Sequence, residues 1–503
     1  MANKVVFKAL VAVFIILSVF FMTTAGWAAT YYVDATNGKD SNQGTFESTA
    51  WKTIAKVKGS RFNPGDQILF KRGEFWREQL IVPSSGSEGN PITFGAYGNG
   101  NKPKLLGSVN LTGSSNWQQY ASSTWRSAIT IPVDVGNLIF NNESSCGKKN
   151  SALNSLGSQG DFYYDPAIGY LYVYSTSNPG TYYTTIEAAE RNHGILISGR
   201  NYLTIQDFDL RYWGAHGIQI DGYSANCDNI IIQRNDISYI GGSFQSGPGS
   251  QRYGNGIEQW SNGTNIIVRK NLIKHCYDAA LTPQGTAAGN TKRNQEWSYN
   301  IISNCHYGIE LWTSGAGSSM SAIHFYNNSF YNAGAEWSAN QRIPDNSWDN
   351  AAHVKMFNSQ ASATDIQIKN NIFSTSSSNA VQVWTAWTDI ANVTFSNNLY
   401  YQPSGNMIVY NYGDRVRNYT QAQWESYKST EGKDANSPTP VDPLFVTAGT
   451  NFNLQSISSA INKGVGVGLT QDFEGNPILG FPDIGAFELI ERPSPPKNLQ
   501  RLQ

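Results

Sequence analysis

Residues 266–273 read I-I-V-R-K-N-L-I, and the same spelling returns along the chain. Alternating apolar residues lead into an asparagine, here Asn271, and an apolar residue stands two positions beyond it. The variants are IIIQRNDI around Asn235, EWSYNII around Asn300, IHFYNNSF around Asn328, IQIKNNIF around Asn371 and VTFSNNLY around Asn398. Successive asparagines stand 27 to 29 residues apart at the closest, and the steps of 36 and 43 contain Gly/Ser/Asn-rich insertions. A repeat of this period marks coils that stack.

A second short strand accompanies these corners. It reads HGILIS (193–198), HGIQID (216–221), NGIEQW (255–260), DAALTP (278–283), YGIELW (307–312), AHVKMF (352–357) and NAVQVW (379–384). Each has the period-2 alternation of a half-buried strand, and no helix-length periodicity competes. Short strands in coils of this length, with asparagine at a fixed corner, predict an all-β fold. It is a parallel β-helix whose coils stack at about 4.8 Å. One coil cannot bury its apolar face alone, so the stack shares one core. A corner asparagine buried in the stack is expected to hydrogen-bond to those above and below.

Counted from the glycine of NGIEQW, the first and third residues face the core and the second and fourth face solvent. The outward pairs in stack order are Leu196 and Ser198, Gln219 and Asp221, Glu258 and Trp260, Leu281 and Pro283, Glu310 and Trp312, Lys355 and Phe357, Gln382 and Trp384. A solvent face has no need of Glu and Trp at matching places. Trp260, Trp312, Phe357 and Trp384 would line one side of this face, with charged and amide groups such as Asp221 on the other. Rings beside hydrogen-bonding groups suit a sugar chain, whose C–H faces stack while its hydroxyls bond sideways. The same rings could instead form a stabilising ladder or a floor for inserted loops.

Glu258 and Glu310 fall two rungs apart, with Asp278 on the rung between. Carboxylates on adjacent or alternate rungs would lie roughly 5 or 10 Å apart. Retaining glycosidases use a spacing of about 5 Å and inverting ones about 6.5 to 9.5 Å. Lys355 beside Glu310 is expected to hold that carboxylate ionised, as a nucleophile or base. Asp278, followed by Ala279, Ala280 and Leu281, is expected to be desolvated and to act as general acid. The plain alternative is a stacked Glu310–Lys355 ion pair and a turn-capping Asp278. Lys355 could also be the base of a lyase, removing the proton α to a uronate carboxyl. Glu310 would raise its pKa against that role unless a cation, such as Ca²⁺, takes the glutamate.

Insertions at 241–254, 282–295 and 331–349 are expected to wall the groove, bringing Arg252, Tyr253, Trp337, Arg342 and Trp348 toward a substrate. Arg252, Lys292, Arg293 and Arg342 could clamp acidic sugars. His193, His216 and His353 read first as turn residues, and His216, near Asp221, is the best base among them. Cys276 and Cys305 should stack as free thiols, because parallel Cβ vectors strain a disulfide. Four cysteines make no disulfide framework in a chain of 503 residues.

Net charge is −1, so nothing favours nucleic acid or an anionic membrane as partner. Charged residues are 15% and aromatics 13%, which suits packed short strands rather than disorder. Lys4 and Lys8 precede an apolar run at 9–21, and Gly26 and Ala28 place small residues for cleavage after Ala28. The run is shorter than the roughly 20 residues a membrane span needs. The expectation is a soluble protein, extracellular or periplasmic, with no stable membrane insertion once the leader is removed.

The opening YYVDATNGKDSNQGTFESTAWKTIAKV, continued by FNPGDQILFKRGEFWREQLIVPSSGSEGNPITFGAYG, resembles the secreted right-handed parallel β-helix proteins of the pectate-lyase-like superfamily. The resemblance implies a right-handed coil, a cap helix at WKTIAKV closing the open core end, and polysaccharide sites on a face of the kind described. The expected layout is a leader at 1–28 and cap with first coils at 29–115. Residues 116–190 break the rhythm with Trp117, Trp125 and a hairpin in FYYDPAIGYLYVYS, and read as a small inserted β-sandwich. Main coils follow at 191–440, then a closing segment at 441–490 and a Pro-rich flexible tail at 491–503. Neither the lyase families' motifs nor the polygalacturonase paired-Asp motif is intact.

The chain therefore reads as an exported polysaccharide-active enzyme, glycoside hydrolase slightly ahead of polysaccharide lyase. A non-catalytic glycan-binding or surface-matrix protein is the reading of another class. No cofactor is required by the sequence, Ca²⁺ enters only with the lyase, and the expected partner of a monomer is extracellular polysaccharide.

Overall fold

The computed structural model describes residues 28–342, 349–357, 361–384, 390–412 and 415–490. The expected leader up to residue 27, Trp348 and the expected tail at 491–503 lie outside the described residues. Three long sheets run the length of the molecule, with ten, ten and nine strands. Strands pair in parallel with those one coil on, as Ile218–Gly222 with Ile257–Ser261 and Tyr307–Thr313 with Ala352–Met356. The second sheet ends where Ile408–Tyr412 pairs antiparallel with Arg415–Tyr419. This is the parallel β-helix that the asparagine repeat predicts.

One inward column of the second sheet is Ile195, Ile218, Ile257, Leu281, Ile309, Val354, Val381 and Ile408, all essentially inaccessible. Each contributes roughly 1.5 to 3 kcal/mol by leaving water. The corner asparagines form the expected ladder. Asn235 Nδ2 donates to Asn271 Oδ1 at 3.1 Å, Asn271 to Asn300 at 3.0 Å, and Asn300 to Asn328 at 3.0 Å. Asn328 donates to Asn371 at 2.9 Å and Asn371 to Asn398 at 3.1 Å. Each Oδ1 also accepts a backbone N–H from the rung before, as Asn300 does from Asn271. The residue ahead of each ladder asparagine turns the corner in the left-handed region, with φ of 56° at Arg234, 57° at Lys270 and 52° at Tyr299. Cys276 and Cys305 are free thiols, and the Cys276 N–H meets Cys305 Sγ at 3.4 Å.

One rung departs from the sequence reading. Leu281 pairs with Ile257 and Ile309, so it faces the core and Thr282 and Gln284 face out, instead of Leu281 and Pro283. Turning Leu281 into the apolar core and Thr282 to the outer, polar side of the sheet is the favourable choice.

Between Ser108–Asn110 and Ile186–Glu190 the chain forms a four-stranded and a five-stranded sheet. Leu138, Phe140, Phe162, Leu171, Val173 and Ile186 give these sheets a core separate from that of the coils. Asp161–Asp165 and Tyr170–Tyr174 are an antiparallel pair, turned by Gly169 at φ 72°. The helix Ile54–Lys58 is capped by Thr53, whose hydroxyl accepts the Lys56 N–H, and it sends Ile54 and Val57 into the coil core. Among the described residues no helix is long and apolar enough to cross a membrane.

Candidate active site

The outward face of the second sheet carries a cleft of about 730 Å³. Its floor holds Glu258, Asp278 and Glu310, and Trp260, Trp312, Phe357 and Trp384 line it together with Arg342. In-register pairing places Glu258 and Glu310 at the same strand position, one on each side of Thr282. The sequence periodicity therefore brings the two glutamates and the four rings to one wall, while Asp278 reaches it from just before its strand and Arg342 from an insertion. The Trp260 and Trp312 rings lie 6.3 Å apart at 51°, splayed rather than stacked on one another.

Glu258 is almost fully buried and saturated with donors. Its Oε2 accepts His216 Nε2–H at 3.0 Å and Gln219 Nε2–H at 3.0 Å. Its Oε1 accepts Asn255 Nδ2–H at 3.3 Å and Gln284 Nε2–H. The His216 tautomer follows from its other nitrogen, since Nδ1 accepts the Asn255 backbone N–H at 2.9 Å and the proton must sit on Nε2. Burial alone would raise the Glu258 pKa, but His216 and the Gln284 hydrogen bond outweigh it and hold the carboxyl below its ordinary value. His193 stacks on His216 with ring centroids 5.2 Å apart, and burial drives its pKa down to about 3, so it is neutral.

Glu310 and Asp278 lie in the opposite environment. Burial pushes Glu310 well above the ordinary glutamate pKa, and the charges of Asp278 and Glu258 push further than Lys355 and Arg342 pull back. This corrects the expectation that Lys355 keeps Glu310 ionised. Asp278 is raised by burial too, with Arg342, His306 and His216 opposing and Asp349 assisting. Arg342 joins the carboxylates along one side of the cleft. Its guanidinium lies 3.1 Å from Asp349, 3.7 Å from Asp278 and 3.8 Å from Glu336, stacks 4.1 Å over the Tyr277 ring, and donates to the Tyr277 carbonyl. Tyr307 Oη donates to Asp349 at 2.9 Å, and His306 Nε2 meets the Asp349 carbonyl at 2.7 Å.

Other residues singled out by sequence lie elsewhere. Lys355 follows Glu310 in register but is inaccessible beneath the rings of Tyr307, Phe357 and Trp384, at 5.5, 4.7 and 5.7 Å. Burial lowers its pKa to about 7, against the rise expected from Glu310. Asp221 turns to its own loop, where it accepts the Tyr223 N–H at 3.0 Å. Arg252 is buried and donates to the carbonyls of Gly242 and Gly136 at 2.7 and 3.2 Å. Trp337 packs on Tyr277 and donates to the His275 carbonyl at 3.0 Å. These last two support the cleft wall from behind.

Sequence reasoning missed Gln284, Tyr307, Asp349 and Arg191, all of which line the cleft. Gln284 was hidden by the one-residue register error. The preference for Leu281 inside was the signal that could have found it.

No protein-family model matches the chain. The lacto-N-biosidase of Bifidobacterium longum subsp. longum is 36% identical over 101 residues, which is 19% of this chain and 6% of that protein's length. Among solved structures, the chain is similar to the GH136 lacto-N-biosidase of Eubacterium ramulus, with 16% identity and a TM-score of 0.43 over 76% of this chain and 57% of that one. It is similar to XylC in complex with xylose, with 12% identity and a TM-score of 0.48 over 92% and 99% of the two chains. It is also similar to pectate lyase Pel9A, with 13% identity and a TM-score of 0.45 over 92% and 96%. The β-helix itself rests on the three parallel sheets of this chain.

Proposed function

We propose that the protein cleaves glycosidic bonds in a glycan laid across the second sheet. Glu310 protonates the leaving oxygen, and ionised Glu258, two rungs away, takes a proton from the water that attacks the sugar carbon. The observation that carries this reading is two carboxyl groups in one cleft with opposed surroundings: Glu258 accepts four donors, which hold its pKa low, whereas Glu310 is buried near Asp278 and Glu258, which push its pKa high. Acid and base assignments follow from such divergence. The rings of Trp260, Trp312, Phe357 and Trp384 give the sugar faces something to stack on. The 101-residue likeness to a lacto-N-biosidase points the same way.

A β-elimination would need a base reaching the substrate. Lys355 has a suitable pKa of about 7, but it is inaccessible and does not line the cleft, so hydrolysis stands ahead. Incubation with a panel of polysaccharides and oligosaccharides, with product mass analysis, tests the proposal. New reducing ends without a UV-absorbing unsaturated sugar are expected, with activity kept after chelation. An unsaturated product, or activity lost on chelation of Ca²⁺, would move the reading to a lyase. Binding with no product from any glycan would leave a binding protein. Export through the leader is part of the same proposal, and a mature N-terminus after residue 28 is the expected mass.

A further inference from the structure

The loop that delivers Arg342 packs Trp337 against Ile139 and Ala189 of the inserted sheets, and Gln341 hydrogen-bonds it to them. Gln341 Oε1 accepts the Lys149 backbone N–H at 3.0 Å, and its Nε2 donates to the Gly147 carbonyl at 2.9 Å. Both partners belong to the inserted region. The same Oε1 accepts Arg252 Nη1–H at 2.9 Å, and Arg252 is itself anchored on Gly136 of the insert and Gly242 of the neighbouring cleft loop. Lys149 is fixed in turn by its ion pair with Asp134 at 2.6 Å. One residue further on, Arg342 reaches Asp349, Asp278 and Glu336.

We propose that Gln341 is a positioning residue through which the inserted sheets set Arg342 against the carboxyl cluster. The sheets at 108–190 thus act as a brace for the active site. This rests on the cleft reading given under Proposed function.

Three hydrogen bonds on one amide define the direction of the chain at residue 341 more sharply than the short 3₁₀ turn Ala339–Gln341 can. Arg342 carries the positive charge that opposes protonation of both acids. The titratable and charged groups around Asp278 are Arg342, His306, His216, Asp349 and Glu310. Those around Glu310 are Asp278, Glu258, Lys355 and Arg342. If Arg342 is displaced, both carboxyls lose a cation and titrate at higher pH. A shift of about 1 Å in a positioning group can cost as much as 100-fold in rate.

The test is a double-mutant cycle of Gln341→Ala and Arg342→Ala, read by steady-state kinetics and by titration of ¹³C-labelled Asp and Glu carboxyls in the full chain. Gln341→Ala is expected to lower kcat by about tenfold with little change in KM. In the Arg342→Ala background the same change should have less than about a twofold effect. The midpoints of Asp278 and Glu310 should rise in both single variants. Multiplicative losses, or carboxyl midpoints unmoved by Gln341→Ala, would overturn the proposal. Gln341→Met, which keeps the side-chain length, serves if the alanine variant does not fold. Should the wild-type protein cleave no glycan, the proposed function falls, while the carboxyl titrations still decide whether Gln341 places Arg342.

Discussion

Glu258 and Glu310 occupy the same strand position two rungs apart, yet their surroundings drive them to opposite charge states. Glu310→Gln and Glu258→Gln should each lower kcat by about 10²- to 10⁴-fold, measured on the best substrate of the panel. Wild-type kcat/KM should rise with pH through a value below the ordinary glutamate pKa as Glu258 ionises. It should fall again well above that value as Glu310 loses its proton. A rate still rising where Glu310 should have ionised would reverse the roles. The sequence made Glu258 and Glu310 legible because outward positions in a strand can be counted, and Asp278 because it leads into the strand between them. It did not reveal their charge states, because burial is set by loops such as that of Arg342, which converge only in three dimensions. For the same reason His216 was matched to Asp221 on its own strand, whereas it donates across the rung to Glu258. Lys292 offers a cleaner case of the same physics. It is inaccessible, hydrogen-bonded to Asn290, and burial lowers its pKa to about 7. The unfolded chain then binds a proton that the native state refuses between about pH 7 and 10.5, so the native handicap is full below 7 and gone above 10.5. Lys292→Met should therefore stabilise the protein by about 1 to 3 kcal/mol at pH 6, net of the unpaired Asn290 oxygen. The gain should shrink as pH approaches 10, as thermal melts at both pH values would record.

At the scale of the element, the asparagine ladder was the most readable feature and the strand 279–285 the least. The ladder could be read because each rung repeats the same hydrogen-bonding requirement, so one letter recurs. The strand 279–285 could not, because Ala279, Ala280, Leu281 and Thr282 alternate only weakly, and a one-residue slip exchanges the two faces. Pairing with Ile257 and Ile309 settles it. Asn300 accepts the Asn271 N–H and side chain and donates to Asn328 and to the Val268 carbonyl at 3.0 Å. Asn300→Ala should therefore destabilise the protein by about 2 to 4 kcal/mol, since it strands several buried groups at once. A urea midpoint indistinguishable from wild type would show that the ladder records register without holding it. On the opposite face, Trp312→Ala should raise KM about tenfold and leave kcat within about threefold, as expected of a residue that binds ground and transition states alike.

The whole molecule carries a net charge of −1, and its cleft mixes Arg191 and Arg342 with the carboxyl cluster. Long-range steering should therefore be negligible for a neutral glycan. Its kcat/KM should change less than about twofold as salt rises from 0.01 to 1 M, over which the Debye length falls from about 30 to 3 Å. A steep decline would instead indicate a charged substrate drawn in by the arginines. At this scale the stacking of coils was legible from the chain, whereas the bracing of the cleft by residues 108–190 was not. That bracing depends on Gln341 meeting Lys149 and Gly147 across a sequence gap no periodicity spans. The in-register columns have one more effect. Because each rung copies the geometry of the last, a coil gained beyond Trp384 would lengthen the aromatic end of the groove by roughly 4.8 Å and leave the carboxyls where they are. A coil gained between Glu258 and Glu310 would part them by that same step and silence the reaction. The length of glycan gripped and the capacity to cut it can therefore evolve separately, one whole turn at a time.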